Sequence, residues 1–144
     1  MPVFNYAVFI YTHPAKVWSA LTTSALMKQW MSQDLEVYVE TDWQVGSAIT
    51  TTVAMYNKPM VSTGKILVYE PLKKLTYSHL ASISRLPDVP ESHATISFDL
   101  EAIADGTQVT VTIAGSPNEV IHNHLRFYWG VALNMLKKFV EERV

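Results

Sequence analysis

Five histidines are the side chains of this sequence best suited to moving protons or binding a metal near neutral pH. His122 and His124 lie two residues apart in a segment with helical periodicity, so their side chains diverge, whereas a metal pair on a helix needs a spacing of four. The sequence has no cysteine and no His-Glu-x-x-His motif. We therefore predict no metal site and no cofactor.

Two of the histidines are candidates for contact with a ligand. His79 ends the face Leu75, Tyr77, His79 of a predicted strand, and His124 lies on the flank of the last predicted helix. Facing each other, the two imidazoles could bind a polar group. The ordinary alternative is a pair of hydrogen-bonded or partly exposed histidines without a role. The sequence lacks a Ser-His-Asp arrangement, a Gly-x-Ser-x-Gly elbow and a phosphate-binding Gly loop, so no catalytic residue is assigned.

Aromatic and methionine side chains favour a binding role, because Met suits adaptable apolar surfaces while Tyr and Trp add a polar tip. The alternative is ordinary core, to which we assign Trp18. The cavity residues predicted from inward or rim positions are Trp30, Trp43, Met55, Tyr77, His79, Phe98, His124, Leu125 and Tyr128.

The elements that must position these residues follow from periodicity. A first strand spans about 3–11, and two short helices follow, one starting at Pro14 and one capped by Thr23 or Ser24. The alternation of apolar and polar residues predicts an antiparallel sheet covered on one side. The further strands are placed near 34–40, 47–55, 61–70, 73–80, 93–101 and 106–113.

The turns and the last helix have their own signals. Asp105-Gly106 predicts a hairpin, with Gly supplying the positive φ. The segment 81–92 is a candidate lid over one mouth of the cavity. Ser116, Pro117 and Glu119 form a capping-box pattern, which predicts one unbroken helix over 117–142.

Length and charge limit the classes of function. The chain of 144 residues fits a single domain, 1–144, and its net charge of −2 comes without a basic stripe. We therefore expect no nucleic-acid partner and no membrane partner. The N-terminal residues lack the basic region of a signal peptide, so we expect a cytoplasmic protein. Phe127 and Val131 fall away from the apolar face of the last helix, which would suit a homodimer or partner contact.

Several motifs together resemble the SRPBCC superfamily of START and birch-pollen-allergen-like proteins, in its bacterial branch of homologues of the activator of the heat-shock-protein-90 ATPase. These are Pro-x-x-Val-Trp-x-Ala-Leu-Thr at 14–22, Leu-x-x-x-Trp at 26–30, Asp-x-x-Val-Gly at 42–46, Gly…Pro…Leu at 64–75, Gly-Thr at 106–107 and Trp…Leu…Leu at 129–136. Ser47 and Tyr128 stand where many members have Gly.

The resemblance implies an α+β helix-grip fold, in which a curved antiparallel sheet of about seven strands wraps a long C-terminal helix and leaves a cavity. Tyr128 would narrow that cavity for a flat or slender ligand. We predict that the protein binds a hydrophobic or aromatic small molecule without chemistry of its own. Two alternatives stay open: an enzyme of the cyclase or dehydratase kind that uses a cavity His or Tyr, and a co-chaperone-like interaction module.

Overall fold

One antiparallel sheet of seven strands and three α-helices make up the described part of the chain in a computed structural model. The structure describes residues 2–31, 36–55 and 58–142, without the side chains of residues 55, 58 and 83. The strands are β1 Phe4–Ile10, β2 Glu36–Thr41, β3 Ala48–Met55, β4 Lys58–Glu70, β5 Lys74–Ala81, β6 Ala94–Ile103 and β7 Gly106–Ala114. The helices are α1 Pro14–Thr22, α2 Ser24–Trp30 and α3 Glu119–Glu142.

The strand order in the sheet is β1-β7-β6-β5-β4-β3-β2. From β2 to β7 every strand pairs with the next one along the chain. β1 is different, because it pairs with β7, with Phe4 opposite Ile113 and Ile10 opposite Thr107. The curved sheet, the two short helices after β1 and the long last helix confirm the predicted α+β helix-grip architecture.

The predicted alternation accounts for the central hairpin of the sheet. Ile96 pairs with Ile113 and Phe98 with Val111, and all four side chains are buried. Their neighbours on the other face of the two strands are only half-buried. Because one face is dry and one is wet, a shift of one residue would expose the whole apolar set, and this fixes the register.

The apolar side of α3 lies against this dry face. The side chains that it buries recur every three or four residues, which forms a single stripe along the helix. They are His122, Leu125, Trp129, Ala132, Leu133, Leu136 and Val140. The helix continues through Gly130 without a break, as the sequence predicts. No helix in the described ranges is long and apolar enough to cross a membrane.

The predicted start of α3 is wrong by two residues. Ser116 is buried and its hydroxyl has no hydrogen-bond partner among the described residues, while the preceding Gly115 takes a left-handed conformation at φ 67°. The cap is Asn118, whose Oδ1 accepts the N–H of Ile121 at 2.9 Å. Asn and Ser are equally good caps, so local sequence alone does not decide between them.

The prediction that Gly106 supplies the positive φ of the hairpin turn is also wrong. Ile103 pairs with Gly106, so Ala104 and Asp105 form the turn, and Ala104 supplies the positive φ of 49°. A Cβ atom on Gly106 would lie 2.3 Å from the carbonyl oxygen of Ile10. Glycine is therefore required here by the close approach of β1 and not by the turn.

Candidate functional site

A cavity of about 300 Å³ lies between α3 and the inner face of the sheet. The helix contributes four side chains to its wall, and these are His124, Leu125, Tyr128 and Trp129. The sheet and the end of α2 contribute the rest, which are Met31, Val37, Thr51, Val53, Met60, Ser62, Tyr77, His79, Ala81 and Ile96. The wall is mostly apolar, with a few hydroxyl and imidazole groups, which is the usual make-up of a small-molecule pocket.

A second hollow of about 310 Å³ adjoins the cavity near the start of α3. The two share Met60, His79, Ala81, His124 and Leu125. The second hollow adds Ser84, Asn118, Val120 and Ile121, of which Val120 is 76% exposed. It is therefore the mouth of the cavity, and we call it the mouth below.

Five of the predicted residues lie together on the cavity wall: Tyr77, His79, His124, Leu125 and Tyr128. His79 and His124 border both the cavity and its mouth, so the structure brings the two histidines together. His79 is half-buried, whereas His124 is exposed. Whether these residues bind a ligand stays a prediction.

Three of the predicted residues are not on the wall. Trp30 is buried between the first two helices, where its Nε1–H donates to the carbonyl oxygen of Ala20 at 2.9 Å. Phe98 faces inward as expected, but it lies under the middle of α3 and packs edge-on against Trp129 at 5.1 Å. Trp43 is half-buried in the β2–β3 connection, packed against the core. The side chain of Met55 lies outside the described part of the structure.

The sequence prediction missed a strip of the wall on two neighbouring strands. Val53 pairs with Met60 and Thr51 pairs with Ser62, and all four side chains face the cavity. The signal was present in the alternation along β3 and β4, because residues two apart on a strand share a face. The two hydroxyl groups among them gave that face a polar appearance.

His122 is the second residue that the sequence analysis underestimated. Its side chain is buried on the core stripe of α3, and its Nδ1 atom has no hydrogen-bond partner among the described residues. The diverging directions of His122 and His124 were predicted correctly, since one is buried and the other exposed. Within the described ranges, no cluster of three or more His, Asp or Glu could hold a metal ion.

Tyr128 closes the cavity on the helix side. Its hydroxyl donates to the carbonyl oxygen of Met31 at 3.0 Å, and its ring packs edge-on against Trp129 at 5.1 Å. Burial raises the pKa of the Tyr128 hydroxyl, so the group is neutral. The side chain therefore fills space at the wall and ties α3 to the end of α2.

Tyr77 and His79 are the inner polar groups, and neither has a hydrogen-bond partner in the part of the chain that the structure describes. Burial and the nearby Tyr128 raise the pKa of the Tyr77 hydroxyl. Burial, with smaller contributions from His93 and His124, lowers the pKa of His79 to about 4. At neutral pH the cavity thus presents a phenol and a neutral imidazole.

The two parts of the predicted lid, segment 81–92, lie by different faces of the sheet. Ala81 and Ser84 border the mouth, next to the short 3₁₀ turn Ser82–Ser84. The later residues Asp88, Val89 and Pro90 line a groove on the other face, together with residues outside the segment such as Thr63, Lys65, Ser78, His93 and Thr95. Only the first part of the segment is therefore placed to cover the cavity, and its mobility stays a prediction.

The sequence matches the model of a known protein family over most of its length. The family model described as "Activator of Hsp90 ATPase homolog 1-like protein" matches residues 11–141. The chain belongs to this family. The match confirms the resemblance inferred from the motifs, and no curated protein matches the chain.

Solved structures extend the likeness to nearly the whole chain. A protein of Cytophaga hutchinsonii, solved in solution, is 28% identical with a TM-score of 0.81, and the match covers 99% of this chain and 96% of that one. The Aha1 dimer of Colwellia psychrerythraea is 26% identical with a TM-score of 0.72, and the coverage is 98% and 97%. A Chromobacterium violaceum protein at 16% identity, with a TM-score of 0.81 and coverage of 98% and 99%, shares the fold.

Proposed function

We propose that this family member binds a hydrophobic or aromatic small molecule in the cavity between the sheet and α3. The observation that carries the proposal is a mostly apolar cavity of about 300 Å³ whose wall includes Tyr77 and His79, neither of which has a hydrogen-bond partner among the described residues. The proposal is supported because a polar group of a ligand in the cavity could supply the partner that each of these side chains lacks.

The binding test uses N-phenyl-1-naphthylamine, a neutral dye that fluoresces in apolar surroundings. Wild-type protein is expected to bind it, and Ser62→Phe, which adds a ring inside the cavity, is expected to abolish binding. The matched control is Thr63→Phe, which adds the same ring on the exposed outer face of β4. The proposal fails if the folded wild type does not bind the dye, or if both variants bind it equally well.

The enzyme alternative has less support from the site. A general base in a cavity of this kind is commonly a histidine oriented by a carboxylate. The described wall contains no carboxylate, and the His93–Asp88 pair, at 2.7 Å, lies by the outer groove. A proton-transfer role would therefore rest on the histidines and tyrosines of the wall without a carboxylate to orient them; these are His79, His124, Tyr77 and Tyr128.

An exposed stripe on α3 favours a second role, a contact with another protein surface. Val120, Phe127 and Val131 are 76%, 75% and 47% exposed and follow one another at intervals of seven and four residues, so they share a face. We infer that the stripe joins two copies of the chain, since one relative is described as an Aha1 dimer. A co-chaperone-like contact, which the family description suggests, would use a surface of the same kind.

The mass in solution separates these roles. Light scattering after gel filtration is expected to give a dimer for the wild type and a monomer for Phe127→Ser. Leu67→Ser removes an apolar side chain that is 44% exposed in the groove on the other face of the sheet, and this variant should stay dimeric. A wild type that is monomeric at high concentration would contradict the dimer and leave the stripe to a different partner.

A further inference from the structure

The inner polar groups of the cavity form a neutral pair on one strand. Tyr77 and His79 lie two residues apart on β5, so their Cα atoms are about 6.6 Å apart and both side chains face the cavity. A single small polar group between them could contact both. The phenol can donate or accept a hydrogen bond, and the neutral imidazole offers one donor and one acceptor.

Lys and Arg side chains are missing from the described surroundings of this pair, around both the cavity and its mouth. The other titratable groups that face the pair are Tyr128, whose hydroxyl is already bound to Met31, and the exposed His124 at the mouth. His93 also acts on the pKa of His79, and its own Nε2 lies 2.7 Å from the carboxylate of Asp88 by the outer groove. A carboxylate drawn into this space would lose its hydration without gaining a counter-ion, which is unfavourable.

The geometry points to a ligand class: we propose that the cavity selects neutral apolar molecules that carry a hydroxyl-type group, held between Tyr77 and His79, and rejects the corresponding carboxylates. This inference rests on the proposed binding function. It separates phenols and alcohols from fatty or aromatic acids, which a cavity with a buried Arg or Lys would prefer. The hydroxyls of Thr51 and Ser62 on the same wall are also neutral.

Three compounds on one ring system test the inference: naphthalene, 2-naphthol and 2-naphthoate. Their affinities are measured by displacement of N-phenyl-1-naphthylamine and by calorimetry at pH 8, where histidine side chains are ordinarily neutral. We expect 2-naphthol to bind about fivefold or more tightly than naphthalene, because it completes hydrogen bonds. We expect 2-naphthoate to bind at least about tenfold more weakly than 2-naphthol.

Substitutions in the cavity wall test which side chains cause the preference for 2-naphthol. Tyr77→Phe and His79→Leu keep the cavity apolar and are each expected to remove the advantage of 2-naphthol while leaving naphthalene binding nearly unchanged. Ser62→Lys places a cation in the wall and is expected to improve 2-naphthoate binding about tenfold. This last variant also shows whether the acid fails for lack of charge or for lack of space.

The outcomes distinguish this inference from the proposed function. If 2-naphthoate binds as tightly as 2-naphthol, or 2-naphthol no better than naphthalene, the inference is overturned while binding in the cavity stands. If the dye binds but none of the three compounds does, the inference is likewise overturned while binding in the cavity stands. If neither the dye nor any of the compounds binds, both proposals fail.

Discussion

The hydroxyl of Tyr128 on α3 donates a hydrogen bond to the carbonyl oxygen of Met31 at 3.0 Å, across 97 residues of sequence. Met31 is the residue that ends α2, so the bond ties the long helix to the short one at the edge of the cavity. Many family members are expected to have Gly at this position, so this chain has a tether where they would have open space.

Two substitutions of Tyr128 should separate the effect of its hydrogen bond from the effect of the space that its ring fills. Tyr128→Phe keeps the ring and is expected to lower the free energy of unfolding by about 1–2 kcal/mol, because the Met31 carbonyl loses its partner. Tyr128→Gly also removes the ring and adds a helix Gly, so a loss of about 4–5 kcal/mol is expected. Urea unfolding measures both. Dye binding should increase for the Gly variant alone, and an equal increase in both would contradict the space-filling role.

The buried imidazole of His79 predicts a loss of stability in acid. Its pKa of about 4 in the fold lies below the ordinary value of 6.5, so the folded state favours the neutral form. Above pH 6.5 the imidazole is neutral in both the folded and the unfolded state and the stability does not depend on it. As the pH falls from 6.5 towards 4 the unfolded state takes up the proton first, so the free energy of unfolding decreases. Relative to His79→Gln, the wild type should lose up to about 3 kcal/mol over this window.

The control for the acid effect is His13→Gln, at an exposed position before α1. Unfolding is measured at a series of pH values for the three proteins, and only the differences between them are compared. Identical pH dependence in wild type and His79→Gln would contradict the burial of a neutral His79.

Substitution by alanine should change the free energy of unfolding in opposite directions at two glycines. A Cβ on Gly106 would lie 2.3 Å from the carbonyl oxygen of Ile10, and the rigid backbone of β1 cannot move away. Gly106→Ala is therefore expected to lower the free energy of unfolding by about 3 kcal/mol. Gly130 has open space around its Cβ position in α3, so Gly130→Ala should add about 0.5–1 kcal/mol. Denaturant unfolding of both variants tests the pair.

The cap of α3 gives the last prediction. Asn118→Ala is expected to cost about 1 kcal/mol, since its Oδ1 accepts the N–H of Ile121. Ser116→Ala should be neutral or stabilising, because the buried Ser116 hydroxyl has no partner to lose within the described part of the chain. Thermal unfolding of the two variants decides which residue is the cap. A larger loss for Ser116→Ala would restore the cap that the sequence pattern predicts.

The sheet could be predicted because the alternation of apolar and polar residues is a local pattern that recurs from strand to strand. The inward residues Ile96 and Phe98 alternate with polar ones, and a strand of that pattern has one way to lie on a core. The cavity could be predicted only in part, because its boundary depends on where α3 touches the sheet. Phe98 and Tyr77 share an inward face, yet the first lies under Trp129 and the second beside open space.

The pairing of β1 with β7 has a consequence for how the chain is made. β1 is synthesised before the other strands of this sheet, but it pairs with β7, the last of them, so Phe4 has no partner until Ile113 has been made. The strands β2 to β7 can form meanwhile as successive hairpins, each closed by a short connection or by a local loop. The growing chain therefore carries an unpaired apolar strand until β7 has been made, and the β1–β7 pairing is a slow, non-local step because it closes a loop of about one hundred residues.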